Sequence, residues 1–408
     1  MRVLWCSVAP HLGSGYGVQT SLVAPRIQGA GHEVGIAASQ GLECGVLPWP
    51  GPRGVIPVFP QGSRNHNMDL VSRHASEFEA DVIFSHYDAW CLDQKRLGDA
   101  AFNHAWVPWF PIDCDDVPKL VLNAVRGLRG AAFRITQTHH GVAAMHSHGE
   151  QCAYVPAAFD ASVFYPRSQR ESRDAMGISQ DRFMAVMVAA NSGTKDSPSR
   201  KSFPQVFQAW QWFLEREPDA LLYLHCMPQA HLNLDALAVE HGIRDNILFV
   251  DPYYLRSGML NGENLAIIYS AGDVLLNPAM GEGFGVPIVE AQACGTPVIA
   301  GDWTAMSEVT RTGHLIPKDR AARYPMAGYG GDMFLPQPEA ILDALLKARE
   351  WRHEPATVSA AVAEYEIQTV WRDQWKPVIR EVEDQLGLAH VLDAQEETSR
   401  QIREMIAS

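Results

Sequence analysis

Paired cysteines, long apolar runs and basic charge are scarce in this 408-residue sequence. Its seven cysteines are odd in number and never form a CxxC pair, which excludes a disulfide framework and a zinc ribbon and indicates a reducing compartment. No apolar stretch approaches the length of a membrane span, and the opening run from Val3 to Ala9 is too short for a signal peptide. We therefore expect a cytoplasmic protein without membrane insertion.

Basic residues are outnumbered, with 33 Lys and Arg against 47 Asp and Glu and a net charge of −14. Residues 1–165 hold 11 basic and 14 acidic side chains, so most of the negative charge falls after them. Because phosphate affinity comes mainly from Lys and Arg, this balance argues against a non-specific nucleic-acid binder. It does not exclude a polyanion that approaches residues 1–165 alone.

Apolar runs alternate with helical segments, and the alternation then begins again. Runs that predict buried strands lie at residues 3–9, 33–38, 81–85, 105–110 and 132–136, and then at 183–190, 221–225, 247–250, 273–276 and 297–300. Strands that alternate with helices form parallel sheets covered on both faces. The sequence therefore predicts two doubly wound α/β domains, residues 1–165 and 166–369. A charged helical segment, 370–408, follows, and its Trp371 and Trp375 indicate packing onto a domain.

A glycine-rich loop, Gly13 to Gly17, follows the first predicted strand and precedes a helix. Glycines let a backbone approach phosphate, as in a dinucleotide-binding fingerprint. Here the spacing is GxGxG, and the second strand ends in Ser39-Gln40 without the acid that would hold an adenosine ribose. The loop is either a tight turn without a ligand or a close approach to a ligand other than NAD(P). In the second case its contact residues are Gly15, Tyr16 and Gly17.

Acidic and histidine clusters occur at residues 113–116 and 139–148. Asp113-Cys114-Asp115-Asp116 looks like an Asp-x-Asp metal site, and a capped turn with solvated acids is the alternative. Asp113 is nearest to a strand end, where open α/β sheets place their ligands. The histidines lack a carboxylate or cysteine at helical spacing, which favours ordinary surface histidines. We expect no metal site.

The strongest motif runs from Gly281 to Pro297. A helix is predicted from Val286, with Pro287 in its first turn, and the N–H groups before it would face one point as an anion site. The residues that supply this site are Gly283, Phe284, Gly285 and Val286. Glu282 lies in the loop and Glu290 in the first helical turns, so one carboxylate can face a sugar and the other a ribose diol. A capped helix with two surface glutamates is the alternative, but it leaves the glycines around Phe284 unexplained.

This stretch resembles the signature of the retaining glycosyltransferases of the GT-B architecture, whose hallmark is two glutamates separated by seven residues. Pro156, Asp160 and Phe164 are similar to the family's domain junction, and Arg200-Lys201 resembles the basic pair that grips the donor diphosphate. The likeness covers nearly the whole chain, more loosely in the first half. A looser resemblance links the chain to members encoded by bacterial viruses.

The resemblance implies a GT-B fold, in which two Rossmann-like domains face each other across a cleft. It implies an N-terminal acceptor domain, a C-terminal nucleotide-sugar domain, and a 370–408 tail that packs back on the first domain. The implied reaction moves a hexose, with retention, from a donor such as UDP-glucose to a hydroxyl acceptor. Neither a metal nor a cofactor is implied.

Residue roles follow from the same resemblance. Glu282 would contact the donor sugar and Glu290 the nucleotide ribose, while Arg200 and Lys201 would hold the diphosphate. Asn191 begins the same loop as the basic pair and is placed with the donor-binding residues. Many members have a histidine near the reacting centre, and here Asp113 or His86 would take that position.

The acceptor stays open among DNA, protein and a small glycan. A modified base in phage DNA is one candidate, although the negative charge of the chain opposes it. The polar segment from Gly62 to Asn67 is a candidate acceptor loop. Two other functions compete: a GT-B-shaped sugar-nucleotide epimerase, and a non-catalytic protein that binds nucleotide sugars or carbohydrates.

Overall fold

The computed structural model describes residues 1–63, 69–92, 104–128, 133–193, 199–326 and 330–387. It has two large, mainly parallel sheets, one in each half of the chain, and this confirms the predicted α/β class. Most of the candidate acceptor loop from Gly62 to Asn67 lies outside the described residues, as does the end of the tail, 388–408.

The N-terminal sheet has eight strands. They are β1 (Arg2–Ser7), β2 (Glu33–Ala38), β3 (Leu47–Gly51), β4 (Gly54–Phe59), β5 (Val82–His86), β6 (Ala105–Phe110), β7 (Ile135–Thr136) and β8 (Ala153–Tyr154). Their spatial order is β3-β4-β2-β1-β5-β6-β7-β8, with β3 and β4 antiparallel and the other neighbours parallel. The chain reverses its direction of winding at β1, so the carboxyl ends of β1 and β5 border a crevice where such sheets bind ligands.

Among the described residues of this half, four α-helices accompany the sheet: α1 (Gly15–Gly29), α2 (Val71–Glu77), α3 (Lys119–Gly127) and α4 (His139–Ser147). Side chains cap two of them, because Ser14 Oγ accepts from the N–H of Gly17 and Thr138 Oγ1 accepts from the N–H of Gly141. Both caps lie at carboxyl ends of strands. The first turns of α1 and α4 therefore start at the edge of the sheet that faces the second domain.

The C-terminal sheet has six parallel strands in the order β11-β10-β9-β12-β13-β14. They are β9 (Met184–Val188), β10 (Leu221–His225), β11 (Ile247–Phe249), β12 (Val274–Asn277), β13 (Val298–Gly301) and β14 (Gly313–Ile316). The winding reverses between β9 and β12, and the crevice therefore lies between the loops that follow these two strands. Those loops carry the Arg200-Lys201 pair and the Gly281–Gly285 segment.

Nine α-helices and a short hairpin complete the described part of this domain. The helices are α5 (Gln169–Met176), α6 (Phe203–Leu214), α7 (Leu234–Glu240), α8 (Pro252–Arg256), α9 (Gly262–Ala271), α10 (Val286–Ala293), α11 (Ala305–Val309), α12 (Pro338–Glu350) and α13 (Pro355–Ala360). The antiparallel hairpin consists of β15 (Arg323–Pro325) and β16 (Asp332–Phe334).

The chain returns to the N-terminal domain after residue 365. The tail contains α14 (Ile367–Val370), a π-helical turn (Trp371–Trp375) and α15 (Lys376–Gln385). Trp375 is fully buried, and its ring centroid lies 5.0 Å from that of Trp109 and 5.8 Å from that of Trp5, both in the N-terminal sheet. This aromatic contact fixes the described part of the tail to the first domain.

The two domains touch through polar and apolar contacts. Both oxygens of Glu308, on α11, accept from the N–H groups of His139 and His140 at 3.1 and 3.2 Å, so a carboxylate of one domain caps helix α4 of the other. The hairpin joins the contact, since the N–H of Asp115 donates to the carbonyl of Asp332 at 2.9 Å. These contacts join the two domains beside the cleft.

Candidate functional site

The glycine loop of the N-terminal domain forms the first turn of α1. A Cβ at Gly17 would overlap the carbonyl oxygen of Leu12, so the turn has no room for a side chain at this position. A Cβ at Gly15 would lie 4.0 Å from Cγ2 of Val286. The first turn of α1 therefore faces the first turn of α10 across the cleft.

Tyr16 connects the glycine loop to a carboxylate that the sequence analysis missed. Its hydroxyl donates to Oδ1 of Asp88 at 3.0 Å. Burial and the charge of Asp113 raise the pKa of Asp88 to about 6, against the opposing effects of the Tyr16 bond and of Arg200. Asp88 stands two residues after His86, and this position just past a strand end was the signal that could have identified it.

His86 is enclosed beneath Tyr16. Its ring stacks on Trp109 with 3.9 Å between centroids and meets the Tyr16 ring edge-on at 4.7 Å. Gln137 Nε2 donates to His86 Nε2 at 2.8 Å, and burial holds the pKa of this histidine well below its usual value. With these rings around it, His86 is only 1% exposed. The structure does not bring the His86 ring to the open cleft, because aromatic rings cover it.

Asp113 lies in the loop after β6, which packs directly on the glycine-rich loop of the other domain. A Cβ at Gly281 would overlap the carbonyl oxygen of Asp113, and a Cβ at Gly283 would overlap Cβ of Pro111. The charge of Asp113 also acts on Arg200 and on Asp88. The structure therefore places Asp113 beside the basic pair of the donor-side domain.

Several of the other acids and histidines of the two sequence clusters have partners of their own. Asp115 pairs with Lys318, and Asp116 Oδ1 lies 2.8 Å from Nε2 of His148. His140 Nε2 lies 2.8 Å from the carbonyl of Cys114. Within the described part of the chain, no group of three or more His, Cys, Asp or Glu side chains could hold a metal ion.

Glu282 forms a three-residue ion cluster with the basic pair. Its carboxylate contacts Nζ of Lys201 and lies 3.2 Å from Nη1 of Arg200, which also donates to the carbonyl of Gly281. The N–H of Glu282 donates to Oγ1 of Thr304 at 3.2 Å. Glu282 is 6% exposed, whereas the Arg200 side chain is 36% exposed, so the cluster opens to solvent on its guanidinium side.

The two cations of this cluster determine the charge of Glu282. Burial alone would raise the pKa of Glu282, but Lys201 and Arg200 outweigh that effect and hold it below its usual value. Burial lowers the pKa of Lys201, against the attraction of Glu282. Glu282 is therefore a carboxylate at neutral pH.

The start of α10 has the geometry of an anion site. Gly285 caps the helix with φ of +92°, a left-handed conformation that favours glycine. Phe284 turns inward, where its ring meets Tyr365 edge-on at 5.5 Å. Among the described residues, the N–H groups of positions 283–286 have no hydrogen-bond partner. They stand beside Glu282 at the positive end of the helix.

Glu290 differs from Glu282 in its surroundings. It is 4% exposed, and its Oε2 accepts a hydrogen bond from the hydroxyl of Tyr269 on α9 at 3.0 Å. Burial raises the pKa of Glu290 to about 8, and the Tyr269 bond offsets only part of that rise. The surroundings of Glu290 therefore favour its protonated form at neutral pH. Tyr269 lies outside the sequence motif, and no sequence signal pointed to it.

Asn191 holds the loop after β9 in place. Its side-chain Nδ2 donates to the carbonyls of Met227 and Leu232 at 3.0 and 2.8 Å, and its Oδ1 accepts from the N–H of Leu232 at 3.0 Å. The side-chain amide of Asn191 is thus bound to a neighbouring loop and does not point to the cleft as a free group. It supports the chain segment that leads to Arg200.

A family model described as glycosyl transferases group 1 matches residues 193–325, the part of the chain that contains the ion cluster and the α10 anion site. This part of the chain is therefore similar to a glycosyl transferase domain. It includes both glutamates of the motif and the basic pair, so the geometry described above belongs to the part of the chain that the family defines.

Curated relatives agree with this assignment. A D-inositol 3-phosphate glycosyltransferase of Pseudarthrobacter chlorophenolicus is 27% identical over 301 residues, which cover 67% of this chain and 68% of the relative. One from Mycobacteroides abscessus is 40% identical over 90 residues, 21% of this chain and 19% of the relative. The chain thus aligns with about a fifth of the length of the second relative.

Solved structures show the same fold. Sucrose-phosphate synthase from Thermosynechococcus elongatus superposes with a TM-score of 0.66 at 17% identity and covers 97% of this chain and 100% of its own. Anabaena Alr3699/HepE, in complex with UDP and glucose, has a TM-score of 0.64 at 16% identity and covers 93% of this chain and 100% of its own. The fold is GT-B, as the sequence motifs implied. No helix of the described residues is long and apolar enough to span a membrane.

Proposed function

We propose that the protein is a retaining glycosyltransferase that moves a hexose from a nucleoside diphosphate sugar to a hydroxyl acceptor without a metal ion. The observation that carries this proposal is the Arg200–Lys201–Glu282 cluster beside the free N–H groups at the start of α10. Two cations and a helix N-terminus there face the crevice where α/β sheets bind phosphates.

The donor diphosphate would bind at this cluster. As the glycosidic bond breaks, negative charge grows on the leaving phosphate, and fixed cations and N–H dipoles stabilise it without reorganisation. Arg200 and Lys201 would turn from Glu282 toward the diphosphate, which frees the Glu282 carboxylate for the donor sugar. Glu290, behind the first turns of α10, would meet the ribose diol. Retention would follow from attack on the same face as departure, with no protein nucleophile.

UDP-glucose is our first choice of donor, since the similar fold of Alr3699/HepE holds UDP and glucose. The acceptor would enter from the N-terminal side, where Tyr16, Asp88 and Asp113 border the cleft. The curated relatives are named for D-inositol 3-phosphate, so this compound and myo-inositol are the first acceptors to test. A hydroxylated base in DNA is a further candidate.

The test is product formation from radiolabelled UDP-glucose, GDP-mannose and ADP-glucose with each acceptor, followed by NMR assignment of the anomeric proton. We expect transfer with retention of configuration, and UDP binding by calorimetry that is unchanged in excess EDTA. Binding that requires Mn²⁺ would contradict the metal-free proposal and redirect attention to the Asp113–Asp116 loop. A changed donor sugar without transfer would indicate an epimerase, and binding without any reaction a carbohydrate-binding protein.

A further inference from the structure

A second polar pocket lies on the opposite side of the C-terminal domain from the cleft. It occupies about 240 Å³ at the amino-terminal edge of the sheet, beside Phe183 at the start of β9 and Asp273 at the start of β12. Because the strands are parallel, this edge is separated from the cleft by the length of the sheet. None of the donor-binding residues therefore lines this pocket.

Four arginines line this cavity, which we call the arginine pocket: Arg173, Arg182, Arg349 and Arg352. No lysine accompanies them among its lining residues. Guanidinium groups, unlike ammonium groups, present a planar fork of donors that fits the oxygens of phosphate or carboxylate. Four such groups in one small cavity are unusual in a chain with a net charge of −14.

Arg173 forms the floor, and each of its three nitrogens donates a hydrogen bond to the protein. It donates to the carbonyl of Ala271 at 2.9 Å, to the carbonyl of Gln180 at 2.6 Å and to Oδ2 of Asp273 at 2.8 Å. Asp273 also accepts from the N–H of Met184 at 2.7 Å. The charges of Arg173 and Asp273 neutralise each other, and their hydrogen bonds fix the base of the pocket.

The arginines of the wall keep donors free. Arg182 is anchored through Nε to the carbonyl of Asp219, and Arg352 through Nη1 to the carbonyl of Trp351 at 2.9 Å. Among the described residues, neither Nη of Arg182 nor Nη2 of Arg352 has a hydrogen-bond partner. A guanidinium held by one nitrogen loses less side-chain entropy when its remaining N–H groups bind an anion.

Nearby carboxylates leave part of this positive charge uncompensated. Arg349 Nε lies 3.2 Å from Oε2 of Glu217, so the charge of this arginine is paired. The acids of the lining are Asp273, which is paired with Arg173, and Asp181. Asp181 is exposed at the rim and has no ion-pair partner among the described residues. The open part of the pocket thus has two positive side chains, Arg182 and Arg352, and one negative side chain, Asp181. It therefore carries excess positive charge.

We propose that the arginine pocket binds a small phosphate-bearing molecule, whose phosphate oxygens accept hydrogen bonds from Arg182 and Arg352. A phosphate group can accept from several guanidinium groups at once. The cavity is smaller than the roughly 300–1,000 Å³ of pockets for drug-sized ligands, which favours a sugar phosphate or pyrophosphate over a nucleotide. This inference goes beyond the proposed transfer reaction and does not depend on it.

The experiment is calorimetric titration of the full chain with inorganic pyrophosphate and with glucose 6-phosphate, in EDTA and with excess UDP to occupy the cleft. The test variant combines Arg182→Gln with Arg352→Gln. The control is Arg256→Gln, which removes the same charge from an exposed position of the same domain outside the pocket lining. We expect at least one of the two probes to bind, with a loss of at least tenfold in affinity in the double variant and none in the control.

Because a phosphate can also bind at the donor cluster, the titration is repeated with Arg200→Gln. Binding that survives this change and disappears in the double variant supports the proposal, even if UDP itself proves not to bind. Three results would overturn it: no binding of either probe to the wild type, equal affinity in wild type and double variant, or loss of binding with Arg200→Gln alone. Circular dichroism of each variant shows that a lost signal does not come from unfolding.

Discussion

The buried state of Glu290 gives a quantitative prediction for Glu290→Gln. Burial raises the pKa of this carboxyl to about 8, so it holds its proton at pH 6 and has lost it at pH 9. Glutamine has the shape of the protonated acid and cannot ionise. The variant therefore resembles the wild type at low pH and differs from it at high pH.

The magnitude follows from the cost of ionisation. Each pH unit below the pKa adds about 1.4 kcal/mol to the free energy of forming the carboxylate. Any binding that needs the carboxylate therefore becomes tenfold weaker with each such unit. A hydrogen bond from a ribose hydroxyl to a carboxylate contributes roughly 1.5–3 kcal/mol, which corresponds to roughly 10- to 150-fold. The ratio of the UDP dissociation constant of Glu290→Gln to that of the wild type should be near one at pH 6. It should rise to roughly 10–150 at pH 9.

The assay is calorimetric titration with UDP at half-unit pH steps from 6 to 9. The titration of UDP itself cancels in the ratio, because both proteins meet the same ligand. Glu339→Gln, an exposed change on α12, is the matched control and should give a ratio of one throughout. A large ratio that stays constant from pH 6 to 9 would show that Glu290 is already ionised, and a ratio of one throughout would remove it from the nucleotide site.

A check that needs no ligand comes from stability. The folded-state pKa of Glu290 is raised above the usual 4.5, so the folded state keeps a proton that the unfolded state has released between pH 4.5 and 8. The wild type therefore loses stability as pH rises through that window, by about 5 kcal/mol in full. Glu290→Gln lacks this loss. Its unfolding free energy in urea should exceed that of the wild type at pH 9, and the two should converge toward pH 5.

Three further changes test the cleft. Glu282→Gln should lower the transfer rate by roughly 10²–10³ while the UDP dissociation constant changes less than threefold, since this side chain is proposed to meet the sugar. Equal losses of UDP affinity in this variant and in Glu290→Gln, both measured at pH 9, would refute the roles. Gly283→Ala should weaken UDP binding at least tenfold, because its Cβ would overlap Pro111, whereas Gly13→Ala, with no atom within 4 Å of its Cβ, should bind normally. Glu308→Gln should weaken the capping contact with α4 by about 1 kcal/mol and enlarge the radius of gyration in small-angle scattering. An unchanged radius would show that this contact does not hold the two domains together.

The sheets could be predicted because their strands are continuous apolar runs. The runs at 33–38 and 221–225 match β2 and β10 residue for residue, and the helix predicted from Val286 begins there. Strands with weak patterns were missed. β3 contains Pro48 and Pro50, which argue against a strand, and it is tolerated because it lies at the edge of the sheet.

The contacts between the domains left no trace in local sequence. In the sequence Glu308 is an ordinary helical glutamate, yet in the structure its carboxylate caps a helix of the other domain. Asp88 lies near a strand end, but its link to Tyr16 depends on how α1 crosses the sheet. Periodicity describes which face of an element is buried and cannot say which distant group will cover it.

The two glutamates of one motif show this limit most clearly. They lie eight positions apart around the start of one helix, and both are almost completely buried. Glu282 is ionised because the loop after β9 brings Lys201 and Arg200 to it, whereas Glu290 keeps its proton because α9 brings only the hydroxyl of Tyr269. Spacing thus sets where each carboxyl stands, and other segments of the chain set its charge. A Gln substitution at neutral pH removes a negative charge from Glu282 but little charge from Glu290, so the two variants become comparable only when both are measured above pH 8.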